Sequence, residues 1–155
     1  MKVCKFGGSS LADAKQLTKV IDIVLADPQR RMVVVSAPGK RNKADTKVTD
    51  LLIALAQAAL DKADTKAPLA AVVARYAAIA RDLDLGAEIV KEVEADLKAR
   101  LASPKKDAGI FMDTLKAAGE DNSAKLAAAA FRKRGVKARY ASPKDTGMVL
   151  EGESG

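Results

Sequence analysis

The chain has 155 residues, 48% of them hydrophobic and 30% charged, proportions that exclude global disorder and suit one domain with a buried core. Histidine and tryptophan are absent, which excludes imidazole metal sites and serine–histidine catalysis for this chain and leaves lysine, carboxylates, hydroxyls and backbone amides. The net charge is +7, but the basic residues are scattered and only 3% of residues are aromatic, so no stacking platform for nucleic acid is expected.

The first element, Val3 to Phe6, reads as a strand. It contains the single cysteine, Cys4, expected as a small buried hydrophobe, and Lys5, an ammonium in an otherwise apolar run. "KFGGSS" then sets two glycines and two serines directly after the strand. Asp13 to Ala26 reads as a helix, because Leu17, Val20, Ile21, Val24 and Leu25 form one apolar stripe. "RMVVVSAPG", residues 31–39, is a β-branched run stopped by Pro38 and Gly39. It predicts a strand covered on both faces of a parallel sheet, and strand–helix–strand predicts a right-handed βαβ unit.

The middle of the chain is alanine-rich. Helices are expected over Thr49–Leu60, Pro68–Arg81, Ala87–Leu101 and Gly109–Ala118, with breaks at Gly86 and Ser103-Pro104. Gly119 reads as a turn, followed by a helix from Glu120 to Arg134 with acids first, bases last and Gly135 as its C-cap. "VKARYASP", residues 136–143, alternates as a strand does, and a turn over 144–147 leads into a short "MVLE" segment. No apolar run is long enough for a bilayer span and the first residues lack a signal-peptide layout, so the expected compartment is the cytoplasm.

A buried lysine needs a negative partner, since an unpaired buried ammonium costs several kcal/mol, roughly. Two glycines after it let the backbone turn tightly and approach a ligand closely. Strand, glycine loop and helix together make an anion-binding nest, for which phosphate is the common guest. The bland alternative is a tight connection with Lys5 reaching the sheet edge. Neither GxxxxGK[ST] nor GxGxxG occurs here. Ser36 and Ala37 fall at the same C-terminal sheet edge, where ligands of open α/β sheets bind.

"KFGGSSLADA", "VVVSAPGK", "KVTDLL" and "GEDNSAKL" occur in this order with spacing that resembles the N-terminal part of aspartate kinases, of the amino-acid kinase superfamily, and the likeness extends to "SPKDTGM". The resemblance implies a three-layer α/β/α sandwich with a mainly parallel sheet, incomplete at one edge. It implies phosphoryl transfer from ATP, with Mg2+ as companion ion, to the side-chain carboxylate of L-aspartate. The product, 4-phospho-L-aspartate, leads toward lysine, threonine and methionine. Lys5 matches the lysine that contacts the phosphates, Gly7, Gly8 and Ser9 the phosphate loop, and Ser36, Thr49 and Glu120 residues that hold the amino-acid substrate. For Thr49 the bland role is a helix-capping hydroxyl, and for Glu120 an acid in a helix's first turn. No acid is assignable to the metal.

Residues 1–155 would then be the substrate-side part of a kinase domain, without the nucleotide-binding half or regulatory ACT domains. Homo-oligomerisation or association with a missing half is expected. The alternatives are a non-catalytic anion- or aspartate-binding fragment of the same fold, or a sibling amino-acid kinase.

Overall fold

The computed structural model describes residues 1–143 and 145–147. Its elements follow in the order β1 (Lys2–Phe6), α1 (Ala14–Leu25), β2 (Arg30–Val35), α2 (Val48–Leu60), α3 (Lys66–Asp82), α4 (Ala87–Leu101) and α5 (Ala108–Lys133). A 3-10 turn over Gly8–Leu11 joins β1 to α1. Asp13 starts α1 by accepting the Gln16 N–H at 2.8 Å, a cap contributing about 1 kcal/mol. The α/β class and the parallel pairing of β1 with β2 are as expected. No helix among the described residues is long and apolar enough to cross a membrane.

The register places Cys4 beside Val33 and Phe6 beside Val35, with Val3 beside Met32 and Lys5 beside Val34. Paired residues share a face, because side chains alternate along each strand. The Phe6, Val33 and Val35 face packs on the core, which is built from Leu17, Val20 and Ile21 of α1, Leu52 and Leu55 of α2, Val72 and Tyr76 of α3, Val93 and Leu97 of α4, and Phe111 and Leu115 of α5. The other face is open: Val3 is 59% exposed, Met32 47% and Val34 46%. The expectation of a β2 strand covered on both faces is therefore corrected. A continuous apolar run does not report which faces are covered. Cys4 is half-buried, and Lys5 stands on the open face, exposed, so the premise of a buried lysine is corrected too.

Two further expectations fail. Gly119 is not a turn, and Gly109–Ala118 and Glu120–Arg134 are not separate helices: α5 runs unbroken through all 26 residues of Ala108–Lys133. A Cβ on Gly119 would lie 2.7 Å from Ala37 Cβ and 3.2 Å from Leu52 Cδ1. The glycine lets α5 cross close to the loop after β2 and to α2. This outweighs the cost of about 1 kcal/mol for glycine inside a helix.

Residues 136–143 form no strand. A strand needs a neighbour to share its ladder, and no other described strand pairs with this segment. It is fastened instead by side chains. Arg132 donates to Ala138 O at 3.2 Å, Tyr140 Oη donates to Asp121 Oδ1 at 3.0 Å, and Lys125 Nζ sits 5.6 Å from the Tyr140 ring centre. Gly135, with φ +77°, closes α5 as expected of a C-cap glycine. Lys144 of the expected turn, Met148 of "SPKDTGM" and the "MVLE" segment lie outside the described residues.

Candidate functional site

Both strands end at one junction, and the backbone beyond them is held together there. Ser36 N–H donates to Phe6 O at 3.1 Å, prolonging the ladder past β2. Gly39 N–H donates to Gly8 O at 2.8 Å, joining the two loops. The contact is close enough to forbid side chains. A Cβ on Gly8 would stand 2.8 Å from Ala37 O, and one on Gly39 would stand 2.7 Å from the Gly8 carbonyl carbon. Gly7 differs: it has φ −80°, and a Cβ there would meet nothing within 4 Å.

Glu120 comes to the same junction from α5. Its Oε1 accepts the Ala37 N–H at 3.1 Å, although the two residues are 83 positions apart. Glu120 is exposed and sits mid-helix, so the bland reading of an acid in a first turn is corrected by the continuity of α5. Thr49 is the second residue of α2, one position beyond Val48, whose N–H donates to Pro38 O at 3.0 Å. It does not cap the helix, because the N-cap position is Lys47 and no side chain caps that end. The uncapped start of α2 is favourable to a negative charge, although Asp50 in the first turn offsets part of that field.

The structure thus brings Gly8, Ser36 and Glu120 to one junction and places Gly7, Ser9 and Thr49 on its margin. Lys5 is the penultimate residue of β1 before it, on the open sheet face. Among the described residues, the side chains of Lys5, Ser9, Ser36 and Thr49 make no hydrogen bond or ion pair. No group of three His, Cys, Asp or Glu side chains among them could hold a metal ion. The residues therefore supply a cation and donors, and no metal cage.

Arg75, in α3, was not marked by any motif. It is 6% exposed and reaches both loops. Nη1 donates to Asp45 Oδ2 at 2.9 Å and to Thr46 O at 2.7 Å, and Nη2 donates to Gly39 O at 2.8 Å and to Ala12 O at 3.4 Å. Burial pulls the Arg75 guanidinium down from its ordinary value, and the Asp45 charge opposes this. Asp45 also receives Arg41 Nε at 2.8 Å. The Arg41 side chain is the chief cause holding its carboxyl well below the usual carboxylate range. The next residue, Tyr76, donates its buried hydroxyl to Gly119 O at 2.8 Å.

A sequence model described as "Amino acid kinase family" matches residues 1–154. The chain is 52% identical over 155 residues to Aspartokinase 3 of Bacillus subtilis (strain 168), covering all of this chain and 34% of that protein. It is 45% identical over 56 residues to Putative inactive aspartokinase 3 of Haemophilus influenzae, covering 36% of this chain and 40% of that protein. Among solved structures, Clostridium acetobutylicum aspartate kinase superposes with a TM-score of 0.70 at 28% identity, over 84% of this chain and 29% of that one. E. coli aspartokinase III in complex with aspartate and ADP gives 0.62 at 27% identity, over 87% and 29%. The chain spans about a third of the length of Aspartokinase 3. It belongs to the amino acid kinase family and is similar to aspartate kinases along its length.

Proposed function

We propose that these 155 residues are the substrate-side part of an aspartate kinase, which transfers the terminal phosphoryl group of ATP to the side-chain carboxylate of L-aspartate. The observation that carries the reading is the junction of the Gly8 and Gly39 loops at the C-terminal edge of a parallel sheet, with Glu120 fastened to it through Ala37. A solved relative is a complex with aspartate and ADP, which supports nucleotide and aspartate as ligands of this chain.

The nucleophile is a carboxylate oxygen, already anionic, so no base has to remove a proton. It forms a bond to the γ-phosphorus as the bond to the β–γ bridging oxygen breaks, and ADP leaves with that electron pair. Lys5 offsets the charge on the transferring group. Its exposed ammonium, without a partner among the described residues, is available to an anion. Gly7, Gly8 and Ser9 present backbone and hydroxyl donors to phosphate oxygens. Ser36, Thr49 and Glu120 hold aspartate, the glutamate facing its ammonium. Mg2+ accompanies the nucleotide, and the described residues offer no carboxylate set for it, so no step is routed through the ion.

The product, 4-phospho-L-aspartate, feeds lysine, threonine and methionine synthesis, in the cytoplasm. The remaining nucleotide contacts come from a second copy or from a further part of the enzyme. A second reading is aspartate or phosphate binding without turnover, favoured by the chain's coverage of only 34% of Aspartokinase 3.

Aspartate-dependent ADP release from MgATP, measured beside Lys5→Ala, tests the proposal. Losing a preorganised cation at the phosphoryl group raises the barrier by about 3 kcal/mol, about a hundredfold in rate. Turnover that the variant retains removes Lys5 from the chemistry. Binding of aspartate or MgADP by the parent with no ADP release selects the second reading.

A further inference from the structure

The two loops of the junction arise from different strands. The Ser36–Phe6 bond pins their bases, the Gly39–Gly8 backbone bond joins them directly, and Arg75 bridges them from α3. A guanidinium carries five N–H donors in a rigid planar fork, which an ammonium on a flexible stem cannot reproduce. Arg75 spends that fork on both loops at once. Ala12 belongs to the connection after β1, and Gly39, Asp45 and Thr46 belong to the connection after β2.

The placement is costly unless it is used. At 6% exposure the charge is out of water, and among the described residues only Asp45 balances it at hydrogen-bond range, with Arg41 also bound to that carboxylate. A buried charge pair is often no more stabilising than apolar packing of the same volume. What the arrangement uniquely supplies is a fixed separation between carbonyls of two loops. The neighbouring Tyr76 extends the same helix turn to Gly119 O, adjacent to Glu120. A single turn of α3 thereby bonds to both loops and to α5 beside Glu120.

We infer that Arg75 is a positioning residue: its guanidinium fork holds the Gly7–Ala12 and Ala37–Thr46 loops at the separation that the bound phosphate and aspartate require. The inference rests on the functional reading above, and it assigns Arg75 no contact with either ligand.

The test compares this chain with Arg75→Lys, Arg75→Met and, as a control, Arg100→Met, whose guanidinium pairs with Asp96 and Asp121 and bonds to neither loop. Amide hydrogen exchange is read at Ser10 and Gly39, which donate to Gly7 O and Gly8 O, relative to core amides of α2 and α5. Affinities for MgADP and for L-aspartate are measured by calorimetry. Arg75→Met is expected to speed exchange at Ser10 and Gly39 at least tenfold more than in the core, and to weaken both ligands at least tenfold. Arg100→Met should lower the melting temperature and leave those amides and affinities at parental values. Arg75→Lys keeps the charge beside Asp45 and loses the fork, so it should resemble Arg75→Met. Should Arg75→Met fail to fold, Arg75→Lys decides. Parental exchange and affinity in Arg75→Lys would overturn the inference, because charge balance would then be the whole role. A parent that binds neither ligand overturns the functional reading, and with it the ligand part of the inference. The exchange comparison then still decides whether Arg75 sets the loops.

Discussion

Glu120 accepts the backbone N–H of Ala37 at 3.1 Å, tying the middle of α5 to the loop after β2 across 83 positions of sequence. Ala37 is buried, 5% exposed, so its amide has no ready access to water once the glutamate is removed. Glu120→Ala should therefore cost about 1–2 kcal/mol, the penalty of an orphaned buried donor. Glu120→Gln keeps an acceptor oxygen and should unfold at nearly the parental urea concentration. Both variants lose a charge that could face the ammonium of aspartate, so both should bind L-aspartate at least tenfold more weakly. Parental aspartate affinity in Glu120→Gln would leave Glu120 with the structural role alone.

Gly119, one residue earlier, answers a different requirement. Alanine favours a helix over glycine by about 1 kcal/mol, and an isolated α5 would be stabilised by Gly119→Ala. In the folded protein the new methyl would sit 2.7 Å from Ala37 Cβ, closer than carbon atoms pack. Overpacking of this kind costs about 1–3 kcal/mol. The variant should be less stable than the parent, with α5 displaced from the junction and the Glu120–Ala37 bond weakened. Chemical denaturation decides the sign. A stabilised variant would mean that α5 sits farther from Ala37 than the structure places it.

The same glycine shows where the sequence stops being readable. Glycine marks turns and close approaches alike, and a single chain gives no sign of which one applies. The sequence therefore reads Gly119 as a turn, whereas it is the point where a continuous helix passes Ala37 and Leu52. The alternation of Val136, Ala138 and Tyr140 suggested a strand, but alternation describes one segment and pairing requires two. Elements whose cues are local came through well. The bounds of α4 at Ala87–Leu101 and the C-cap role of Gly135 match, and the α1 stripe is buried at Leu17, Val20, Ile21 and Val24, whereas Leu25 is exposed. The meeting of the Gly8 loop with Ser36–Gly39 was legible because parallel topology alone puts both loops at one sheet edge. Arg75 was not legible. An arginine among alanines carries no signal until the fold brings four acceptors to it from two distant loops.

Asp45 gives the junction a pH dependence. Its carboxyl is held well below the ordinary carboxylate range, chiefly by the Arg41 side chain, with Arg75 adding attraction. A carboxyl with a lowered folded-state pKa contributes stability above its unfolded value, near 3.9, about where free aspartate titrates, and loses that contribution as pH falls toward the folded value. Asp45→Asn removes this contribution at every pH. The stability gap between parent and variant should be constant above about pH 5 and should narrow steadily below about pH 4. Asp27 and Asp84, whose carboxyls are also lowered by lysine partners, are common to both proteins and cancel in the comparison. Urea midpoints taken across this range measure the gap. A gap that stays unchanged down to about pH 2 would show that Asp45 titrates alike in both states.

Gly7 and Gly8 are neighbours with opposite surroundings, and the difference separates binding from folding. Gly8→Ala drives a methyl to 2.8 Å from Ala37 O and 3.2 Å from Gly39 N. These are backbone atoms that cannot swing aside as a side chain can. The two loops must part, the Gly39–Gly8 bond is lost, and the variant should lose about 1–3 kcal/mol together with phosphate and MgADP binding. Gly7→Ala meets no such obstacle. Its φ of −80° suits any residue, nothing lies within 4 Å of the added carbon, and a less flexible unfolded chain should raise stability by about 0.4–1 kcal/mol. Nothing among the described residues therefore requires glycine at position 7, and the requirement falls to whatever approaches from outside. If phosphate oxygens come to this backbone, Gly7→Ala should weaken MgADP at least tenfold while folding at least as well as the parent. Calorimetric titration of MgADP into both variants, with their melting temperatures, measures the two effects separately. A Gly7→Ala protein that binds MgADP as the parent does would move the phosphate site away from Gly7.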